Sequence, residues 1–510
     1  MKAYEALAAH IAEYNDLLNI LNTLKWDMRA KMPRGGSRSR GAQLETLSKL
    51  AKDIFVSEKT ARLLDAAEDE SATVELDIYQ ARALRQTRQY YEIQKRVPAE
   101  LIGRIAALSP ESETVWAQAK DQNDFAAFKP YLGRMLAFNI QLAEAIGYDE
   151  HPFDALVFQF EPGMTAASLE ALFGELKAGI LPLLEKIVAN DAPLPLDLWG
   201  QEYDIETQRK LCHEFAALIG FDFGRGRLDI APHPFEVSFT RDDVRITTRY
   251  DSNYLPMSLF ATLHEAGHGL YEQNVSPSLT RSALTTDFLG QYAVGGASYG
   301  AHEFSSRLWE NQIGRSRAFW NLHFGRLRDH FPEQMASADA ELVYRAVNRA
   351  RPSLTRVEAD EVTYNLHIML RTEIEMALLD RSITVDELPE VWNAKMREYL
   401  GLAPPDDRRG VLQDVHWSAG TFANFPCYTI GNVMAAQVLE AARAHVPDLD
   451  QKLASGDYGS LLGWLTEAIY RHGRAYTVDE LLQSISGADL HVSPLLTYLE
   501  SKYSDLYGLK

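Results

Sequence analysis

Apolar residues recur along much of the chain with the spacing of an α-helix. Between residues 3 and 30 they fall at three- and four-residue steps, which is the stripe of an amphipathic helix. Similar stripes predict helices near residues 72–95, 124–146, 166–190, 357–381 and 430–444. Clusters of glycine and proline predict loops at 32–41, 190–200 and 401–410. Because no repeat of fixed period occurs, the pattern predicts a mainly α protein rather than a solenoid.

One interval departs from helical spacing. Residues 235–249 alternate apolar and polar side chains, which is the period of a β-strand. Arg241 and Asp242 separate two apolar sets and suit a short turn. The sets are Phe235, Val237 and Phe239, then Val244, Ile246 and Thr248. The pattern predicts a β-hairpin directly upstream of the strongest motif in the chain.

Charge and cysteine content indicate which partners and which cellular compartment to expect. Lys and Arg total 51 against 71 Asp and Glu, which gives a formal charge of −20. Such a charge repels phosphate backbones and anionic lipid, so neither nucleic acid nor a membrane is an expected partner. The two cysteines, Cys212 and Cys427, fit a reducing compartment. Since the first ten residues lack the apolar core of a secretory signal and no long apolar run follows, we expect a soluble cytoplasmic protein.

The strongest motif is the HExxH formed by His264, Glu265 and His268. On a helix the two histidines lie one turn apart on the same face, so both imidazoles can reach one metal ion. Glu265 lies about 100° around the helix, where its carboxylate can meet a catalytic water rather than the metal. The flanking residues favour a helix, because Pro256 suits a first turn. Gly267 costs a helix about 1 kcal/mol relative to alanine, which indicates a close approach at this position.

Two imidazoles need a third protein ligand to form a catalytic zinc site. The metzincin pattern HExxHxxGxxH is excluded because GLYEQNVSP follows His268. A glutamate from a later helix is then expected, and Glu303 is the candidate because it stands at the start of the helical segment HEFSSRLWENQIGR. Glu310 and Glu272 are alternatives. Glu303 could instead form an exposed ion pair with Arg307 at i,i+4.

Several longer motifs follow one another along nearly the whole chain. They are His233-Pro234-Phe235, the DxRxT sequence at 243–247, the sequence RVEAD at 356–360 and the GxxQDxHW sequence at 410–417. Together with HExxH they resemble the Taq-type metallocarboxypeptidases, the thermostable carboxypeptidase 1 family. The chain departs from the family pattern at Phe304 and Ser305 and in a longer segment at 276–300.

The resemblance implies a large, elongated, mainly α zincin-like (neurolysin-like) fold with a deep groove and a small β-hairpin or sheet beside the metal site. A single catalytic domain would cover residues 1–510, with an N-terminal helical part of about 1–200 over the groove and the metal site within 201–510. It also implies a homodimer that releases single residues from peptides with a free C-terminus. One divalent metal per chain is expected, with zinc first and cobalt second.

The resemblance also gives roles to individual side chains. His264, His268 and Glu303 would bind the metal, and Glu265 would be the general base. The substrate's terminal carboxylate would be held by Arg356, with His416 and Tyr428 near the scissile carbonyl.

Other side chains are expected to support these groups. Asp243 and Arg245 would brace the hairpin beside His233, while Gln413 and Asp414 would fix the loop that carries His416. Arg356 has an alternative role in a structural salt bridge to Glu358, Asp360 or Glu361.

Three other functions compete with the carboxypeptidase hypothesis. The first is a related oligopeptidase that cleaves internal peptide bonds, in which Arg356 would bind no carboxylate. The second is a serine hydrolase, because residues 296–300 satisfy GxSxG, but a nucleophile elbow needs a preceding strand and a parallel sheet. The third is a helical peptide-binding protein, which would need no metal. The sequence favours a metal-dependent carboxypeptidase.

Overall fold

The prediction of a mainly α protein is confirmed. The computed structural model describes residues 1–192, 194–289 and 295–509, and within these ranges it contains 21 α-helices and three β-strands. The helices are α1 (Lys2–Ala30), α2 (Ser37–Phe55), α3 (Glu58–Ser71), α4 (Ile78–Arg96), α5 (Ala99–Gln122), α6 (Phe125–Ile146), α7 (Pro152–Val157), α8 (Ala166–Asn190), α9 (Ile205–Leu218), α10 (Leu255–Gln273), α11 (Tyr299–Arg307), α12 (Arg317–His330), α13 (Ala340–Val347), α14 (Tyr364–Leu379), α15 (Leu388–Leu400), α16 (His416–Ala419), α17 (Pro426–His445), α18 (Leu449–Ala454), α19 (Tyr458–Ala468), α20 (Val478–Ser486) and α21 (Ser493–Tyr507).

Three of the predicted boundaries are wrong. The helix expected near residues 72–95 begins only at Ile78. The segment 32–41 was expected to be a loop, but α2 begins at Ser37, and Arg40 on its first turn donates to Leu24 O at 2.6 Å. The helix expected from residue 357 begins only at Tyr364. The carboxylate of Asp360 accepts hydrogen bonds from the backbone N–H groups of the second and third residues after it, at 2.9 and 3.0 Å. Such a turn competes with helix formation and delays the start of α14.

The chain forms two compact units, each built from three separate segments. Unit 1 comprises Met1–Gln94, Leu194–Val347 and Met434–Leu490, and unit 2 draws on Lys95–Pro193, Asn348–Val433 and His491–Lys510. The sequence-based division into a helical part of about 1–200 and a metal-site part stays a prediction, as do the elongated shape and the deep groove.

The small sheet lies in unit 1 and contains the predicted hairpin. Strands β2 (Glu236–Thr240) and β3 (Asp243–Thr248) pair antiparallel, with the turn at Arg241 and Asp242. Strand β1 (Gly226–Ile230), which was not predicted, pairs parallel with β3 and gives the order β1-β3-β2. Thr248 Oγ1 donates to Ser258 O at 3.1 Å, so the end of β3 is attached to α10. The sheet therefore supports the helix that carries HExxH.

Helix α14 lies almost entirely in the interior of unit 2. All but two of its sixteen residues are buried, and they include the polar side chains of His367, Arg371 and Glu375. Buried polar groups of this kind need partners, and Arg371 and Glu375 find theirs in the segment around residues 412–423.

No helix within the described ranges combines the length and the apolar character needed to span a bilayer. The cytoplasmic location stays a prediction.

Candidate active site

The HExxH motif lies on a helix, as predicted. Helix α10 begins at Leu255 with Pro256 in its first turn, where a missing N–H has no consequence for the helical hydrogen bonds. His264 and His268 lie on adjacent turns with ring centroids 4.9 Å apart. Glu265 between them is 6% exposed. One helical turn therefore places two imidazoles and a buried carboxyl in one small region.

Glu303 faces both imidazoles from the neighbouring helix α11. Its Oε2 lies 3.2 Å from His268 Nε2 and 3.7 Å from His264 Nε2. One donor atom from each of the three side chains lies within 4.8 Å of the other two. Two imidazole nitrogens and one carboxylate oxygen are the donors that a catalytic divalent metal such as zinc prefers. The three side chains therefore fit a metal ion.

The two alternative glutamates lie elsewhere. Glu310 Oε2 is 3.0 Å from Nδ1 of His264, on the opposite side of the ring from Glu303. Glu272 Oε1 is 2.9 Å from His302 Nε2. Because a carboxylate only accepts, Glu310 holds the proton on Nδ1 and leaves the Nε2 lone pair of His264 free for a metal.

The expected ion pair between Glu303 and Arg307 is present but it is not exposed. Arg307 Nε donates to Glu303 Oε1 at 2.6 Å, and Glu303 is 5% exposed. Arg315 Nη2 binds Glu310 Oε1 at 2.9 Å in the same manner. Each glutamate thus has one oxygen bound to an arginine and the other beside a histidine, and Glu310 Oε2 also accepts from Arg307 Nη1 at 3.4 Å.

The close approach that Gly267 indicated is confirmed. A Cβ at this position would lie 2.7 Å from Ser306 Cα and 2.8 Å from Ser305 O, which belong to α11. Ser305 Oγ also donates to Gly267 O at 2.6 Å. Ser305 and Phe304, where the chain departs from the family pattern, are both buried here. The missing side chain at Gly267 lets α11 approach α10 closely enough to bring Glu303 to the histidines.

Burial and charge separate the pKa values of these groups. Burial raises the pKa of Glu265 to about 7, with His264 opposing the shift and Glu303 adding to it. Burial lowers the pKa of His268 to about 3, so its imidazole is neutral. Burial would raise the pKa of Glu310, but its bond to His264 and the charge of Arg315 bring that pKa down to about 2. Burial would likewise raise the pKa of Glu303, but Arg307 and the histidines hold it below its ordinary value.

Arg356 lies in unit 2, and its partner is not one of the three acidic residues expected from the sequence. Its Nε donates to Asp414 Oδ1 at 3.0 Å, and its Nη2 forms an ion pair with the same oxygen at 2.9 Å. Glu358 is exposed, Asp360 stabilises the turn before α14, and Glu361 forms an ion pair with Lys502 at 2.5 Å.

The segment that carries His416 is held from two sides. From α5, Trp116 Nε1 donates to Leu412 O at 3.1 Å and Lys120 Nζ to Gln413 O at 2.8 Å. From α14, Arg371 Nη2 donates to Gln413 Oε1 at 3.2 Å. Within unit 2, His416 Nε2 and the hydroxyl of Tyr428 lie 3.4 Å apart. Unit 2 therefore brings together Arg356, Asp414, His416 and Tyr428 around one immobilised segment.

The expected hairpin residues lie on and beside the sheet. Arg245 donates to both oxygens of Asp243 at 2.9 Å, and its guanidinium lies over the ring of Trp26 at 4.3 Å. These contacts attach β3 to α1. His233 is exposed on the connection between β1 and β2.

Ser298 of the GxSxG sequence has a structural position. It is the N-cap of α11, where its hydroxyl oxygen accepts from Ala301 N at 2.9 Å. The surrounding segment 276–300 contains the short turns Pro277–Leu279 and Ala283–Thr285, and residues 290–294 of it lie outside the described residues. The sheet has only three strands, with one parallel and one antiparallel pair, and it supports α10 rather than α11, so the nucleophile elbow has no support among the described residues.

The sequence did not indicate the roles of two side chains, Glu310 and Arg371. Glu310 was considered only as a metal ligand, and the spacing gave no sign that it would bind Nδ1 of His264. Arg371 gave no signal, because a single arginine within an apolar helix usually extends to solvent.

Comparison with known proteins agrees with this geometry over the full length of the chain. The family described as Carboxypeptidase Taq (M32) metallopeptidase matches residues 6–503. The chain is 36% identical over 511 residues to "Carboxypeptidase 1" of Bacillus subtilis, covering 100% of this chain and 99% of that one. It is 36% identical to "Thermostable carboxypeptidase 1" of Thermus thermophilus, covering 99% of both.

A solved structure gives the same result for the fold. The crystal structure of the M32 carboxypeptidase from Deinococcus radiodurans R1 superposes with a TM-score of 0.94 at 39% identity, covering 100% of both chains. The oligopeptidase and serine-hydrolase alternatives therefore have less support than carboxypeptidase activity. With a family match and three relatives that extend from end to end, the chain belongs to the Taq-type M32 family of metallocarboxypeptidases, which are peptide hydrolases that use a divalent metal ion.

Proposed function

We propose that this metallocarboxypeptidase releases single residues from the free C-termini of peptides, with His264, His268 and Glu303 as metal ligands. The observation that carries the proposal is that Glu303 Oε2 faces the Nε2 atoms of both histidines. Three such ligands leave one position open for water or substrate, and zinc suits this donor set best, with cobalt as the second choice.

When bound, the metal would supply Lewis acidity and lower the pKa of a water molecule toward 7. Glu265 takes the proton of the attacking water and delivers it to the leaving amine. Its own pKa of about 7, raised by burial, suits a group that must accept and return a proton near neutral pH. Glu310 supports the step by fixing the tautomer of His264.

His416 and Tyr428 are proposed to donate hydrogen bonds to the oxyanion that develops on the scissile carbonyl. Their side chains lie 3.4 Å apart, so one oxygen atom can contact both. Loss of one such donor typically lowers the rate about 100-fold or more.

Arg356 is proposed to bind the terminal carboxylate of the substrate. Asp414 holds Nε and Nη2 of the guanidinium, and Nη1 lies 3.2 Å from the hydroxyl of Tyr364. A guanidinium fixed in this way can pair with a carboxylate, which internal peptide segments lack. This charge would make the enzyme an exopeptidase.

The general base is tested with Glu265→Gln. The variant is expected to bind one metal per chain, because Glu265 is not a proposed ligand, and to lose turnover by about 100-fold or more. Metal content by atomic emission and turnover of an N-acylated dipeptide provide the two measurements. Turnover near that of the unmodified enzyme would remove Glu265 from this role.

The carboxylate site is tested with Arg356→Ala, using Arg351→Ala as the matched control because Arg351 is exposed nearby on the same segment. Only Arg356→Ala is expected to raise KM for free-acid peptides. Mass spectrometry of a peptide ladder, with free-acid and amidated ends and with and without chelator, reports the cleavage end and the metal requirement. Internal cleavage of the amidated peptide would favour the oligopeptidase alternative.

A homodimer is also proposed, as the family resemblance implies. Size-exclusion chromatography with light scattering should give twice the chain mass of 57.4 kDa. A single-chain mass across micromolar concentrations would contradict it.

A further inference from the structure

Helix α14 presents a buried polar row to the segment that carries His416. His367, Arg371 and Glu375 are spaced four residues apart, so they lie on one face of the helix, and all three are fully buried. Glu375 accepts from Trp417 Nε1 and from Ala423 N, both at 2.9 Å. None of these three residues belongs to the motifs by which the site was recognised.

Arg371 has the most contacts in this row. Its Nε donates to Asp414 Oδ2 at 2.7 Å, its Nη2 to Gln413 Oε1 at 3.2 Å and its Nη1 to His367 O at 2.9 Å. All three nitrogens of the guanidinium are thus engaged inside the protein. Because the side chain of Arg371 is also fully buried, it is held in one orientation and does not reach a substrate directly.

Asp414 is shared between two guanidinium groups. Its Oδ1 accepts from Arg356 and its Oδ2 from Arg371. Arginine stays protonated in proteins, and although burial would raise the pKa of Asp414, the two cations hold it far below its ordinary value. The three side chains therefore carry two positive charges and one negative charge.

The neighbouring titratable groups of α14 do not cancel this excess. Burial lowers the pKa of His367 well below its ordinary value, so the imidazole is neutral. Burial raises the pKa of Glu375 to about 8, so its carboxyl is protonated at neutral pH. A buried net positive charge is unfavourable unless an anion completes the group, and a peptide carboxylate is such an anion.

We propose that Arg371 is a positioning residue for substrate binding, which compensates the charge of Asp414 so that Arg356 keeps its full attraction for the terminal carboxylate. With Arg356 and Asp414 alone, the pair would be neutral, and its attraction for an anion would be weak. Arg371 restores one net positive charge without contacting the substrate. The inference rests on the proposed role of Arg356, and it adds an explanation of why Asp414 does not neutralise that site.

The test uses variants in which the net charge of Arg356, Asp414 and Arg371 does not follow the number of hydrogen bonds lost. Arg371→Met removes the compensating charge and leaves the group neutral. Arg371→Met combined with Asp414→Asn removes one charge of each sign and returns the group to one net positive charge. Arg371→Lys keeps the charge and loses most of the fixed geometry.

We expect Arg371→Met to raise KM for an N-acylated dipeptide with a free carboxylate by roughly 10-fold or more, with a smaller change in kcat, since a unit charge within about 10 Å has an effect of this size. Arg371→Lys should return KM to within about threefold of the unmodified enzyme. The double variant loses the contacts by which Asp414 holds Arg356, but it regains the net charge, so its KM should fall clearly below that of Arg371→Met. A role in folding alone predicts the reverse order, because the double variant loses the most hydrogen bonds. A double variant whose KM stays as high as that of Arg371→Met would overturn the proposal.

Two further measurements keep the result interpretable. Circular dichroism and thermal unfolding of each variant show whether it is folded, and if Arg371→Met does not fold, the double variant and Arg371→Lys decide the question. Arg356→Ala is measured in parallel. If Arg356→Ala leaves KM unchanged, the proposed carboxylate site is wrong. If Arg356→Ala raises KM and Arg371→Met does not, only the proposed role of Arg371 is wrong.

Discussion

Substitution of Gly267 by alanine tests how the metal cluster is assembled. The added Cβ would lie 2.7 Å from Ser306 Cα and 2.8 Å from Ser305 O. Ordinary van der Waals contact begins at about 3.4 Å, so the approach to Ser306 is too close by about 0.7 Å. Because both neighbours are backbone atoms of α11, rotation of a side chain cannot relieve the contact. The helix that carries Glu303 must move away from the helix that carries both histidines.

The size of the effect follows from two opposing terms. Overpacking in a well-packed region costs about 1–3 kcal/mol, and replacement of glycine by alanine within a helix returns about 1 kcal/mol. We expect a net loss in the free energy of unfolding of about 0–2 kcal/mol. Metal–ligand distances tolerate only about 0.2 Å, so a shift of several tenths of an ångström should impair the site far more than the fold. A misplacement of this kind lowers kcat/KM by up to about 100-fold.

The assay compares Gly267→Ala with Gly325→Ala. Gly325 lies inside α12, and a Cβ there meets nothing within 4 Å, so this control should gain up to about 1 kcal/mol of stability with unchanged activity. Metal affinity is measured by competition with a chromogenic chelator, and stability by urea unfolding of the metal-free protein. Metal affinity and kcat/KM equal to those of the control would refute the argument that α11 is placed by this contact.

Two further predictions follow from the electrostatics. Glu310→Gln removes the carboxylate from His264 Nδ1 and should weaken metal binding or activity by about 10- to 100-fold in the same chelator competition, and equal affinity would contradict the orienting role. Glu375→Gln should change the pH dependence of stability. The folded pKa of Glu375 is about 8, above its ordinary value of 4.5. The stability that the Glu375 carboxyl contributes is therefore fully present below pH 4.5 and is lost as the pH rises toward 8. Over this range the free energy of unfolding of the unmodified enzyme should fall by up to about 1.4 kcal/mol per pH unit relative to the variant. Urea unfolding at several pH values measures this difference, and parallel curves would contradict it.

The elements around the HExxH motif could be predicted because their signals are local. The stripe of α10, the proline in its first turn and the alternation of β2 and β3 each depend on residues close in sequence. Strand β1 gave no comparable signal, because its one buried residue is Asp229 and its Ile230 is exposed, so it lacks the alternation of a half-buried strand. The late start of α14 depends on hydrogen bonds of Asp360, which a hydrophobic pattern does not contain.

The choice among the three glutamates could not be made from spacing. Leu308–Ile313 forms a π-helical turn directly after α11, so the residues from Leu308 to Ile313 no longer follow the 3.6-residue period. Glu310 lies in that turn and contacts Nδ1 of His264, whereas Glu303 faces Nε2. The pairing of Arg371 with Asp414 joins residues 43 positions apart, and no local pattern connects them.

Three buried carboxyl groups in the same environment have three different roles, and the nearby arginines determine which of them stay anionic. Burial acts on Glu265, Glu303 and Glu310 alike by favouring the neutral form. Arg307 opposes the effect of burial on Glu303, and Arg315 opposes it on Glu310. Both carboxylates therefore stay anionic, so that Glu303 can hold a metal and Glu310 a histidine proton. Those two anions then add to the burial of Glu265 and help to raise its pKa to about 7. The proton-transfer role of Glu265 therefore depends on where the guanidinium groups lie, although the motif itself contains no arginine.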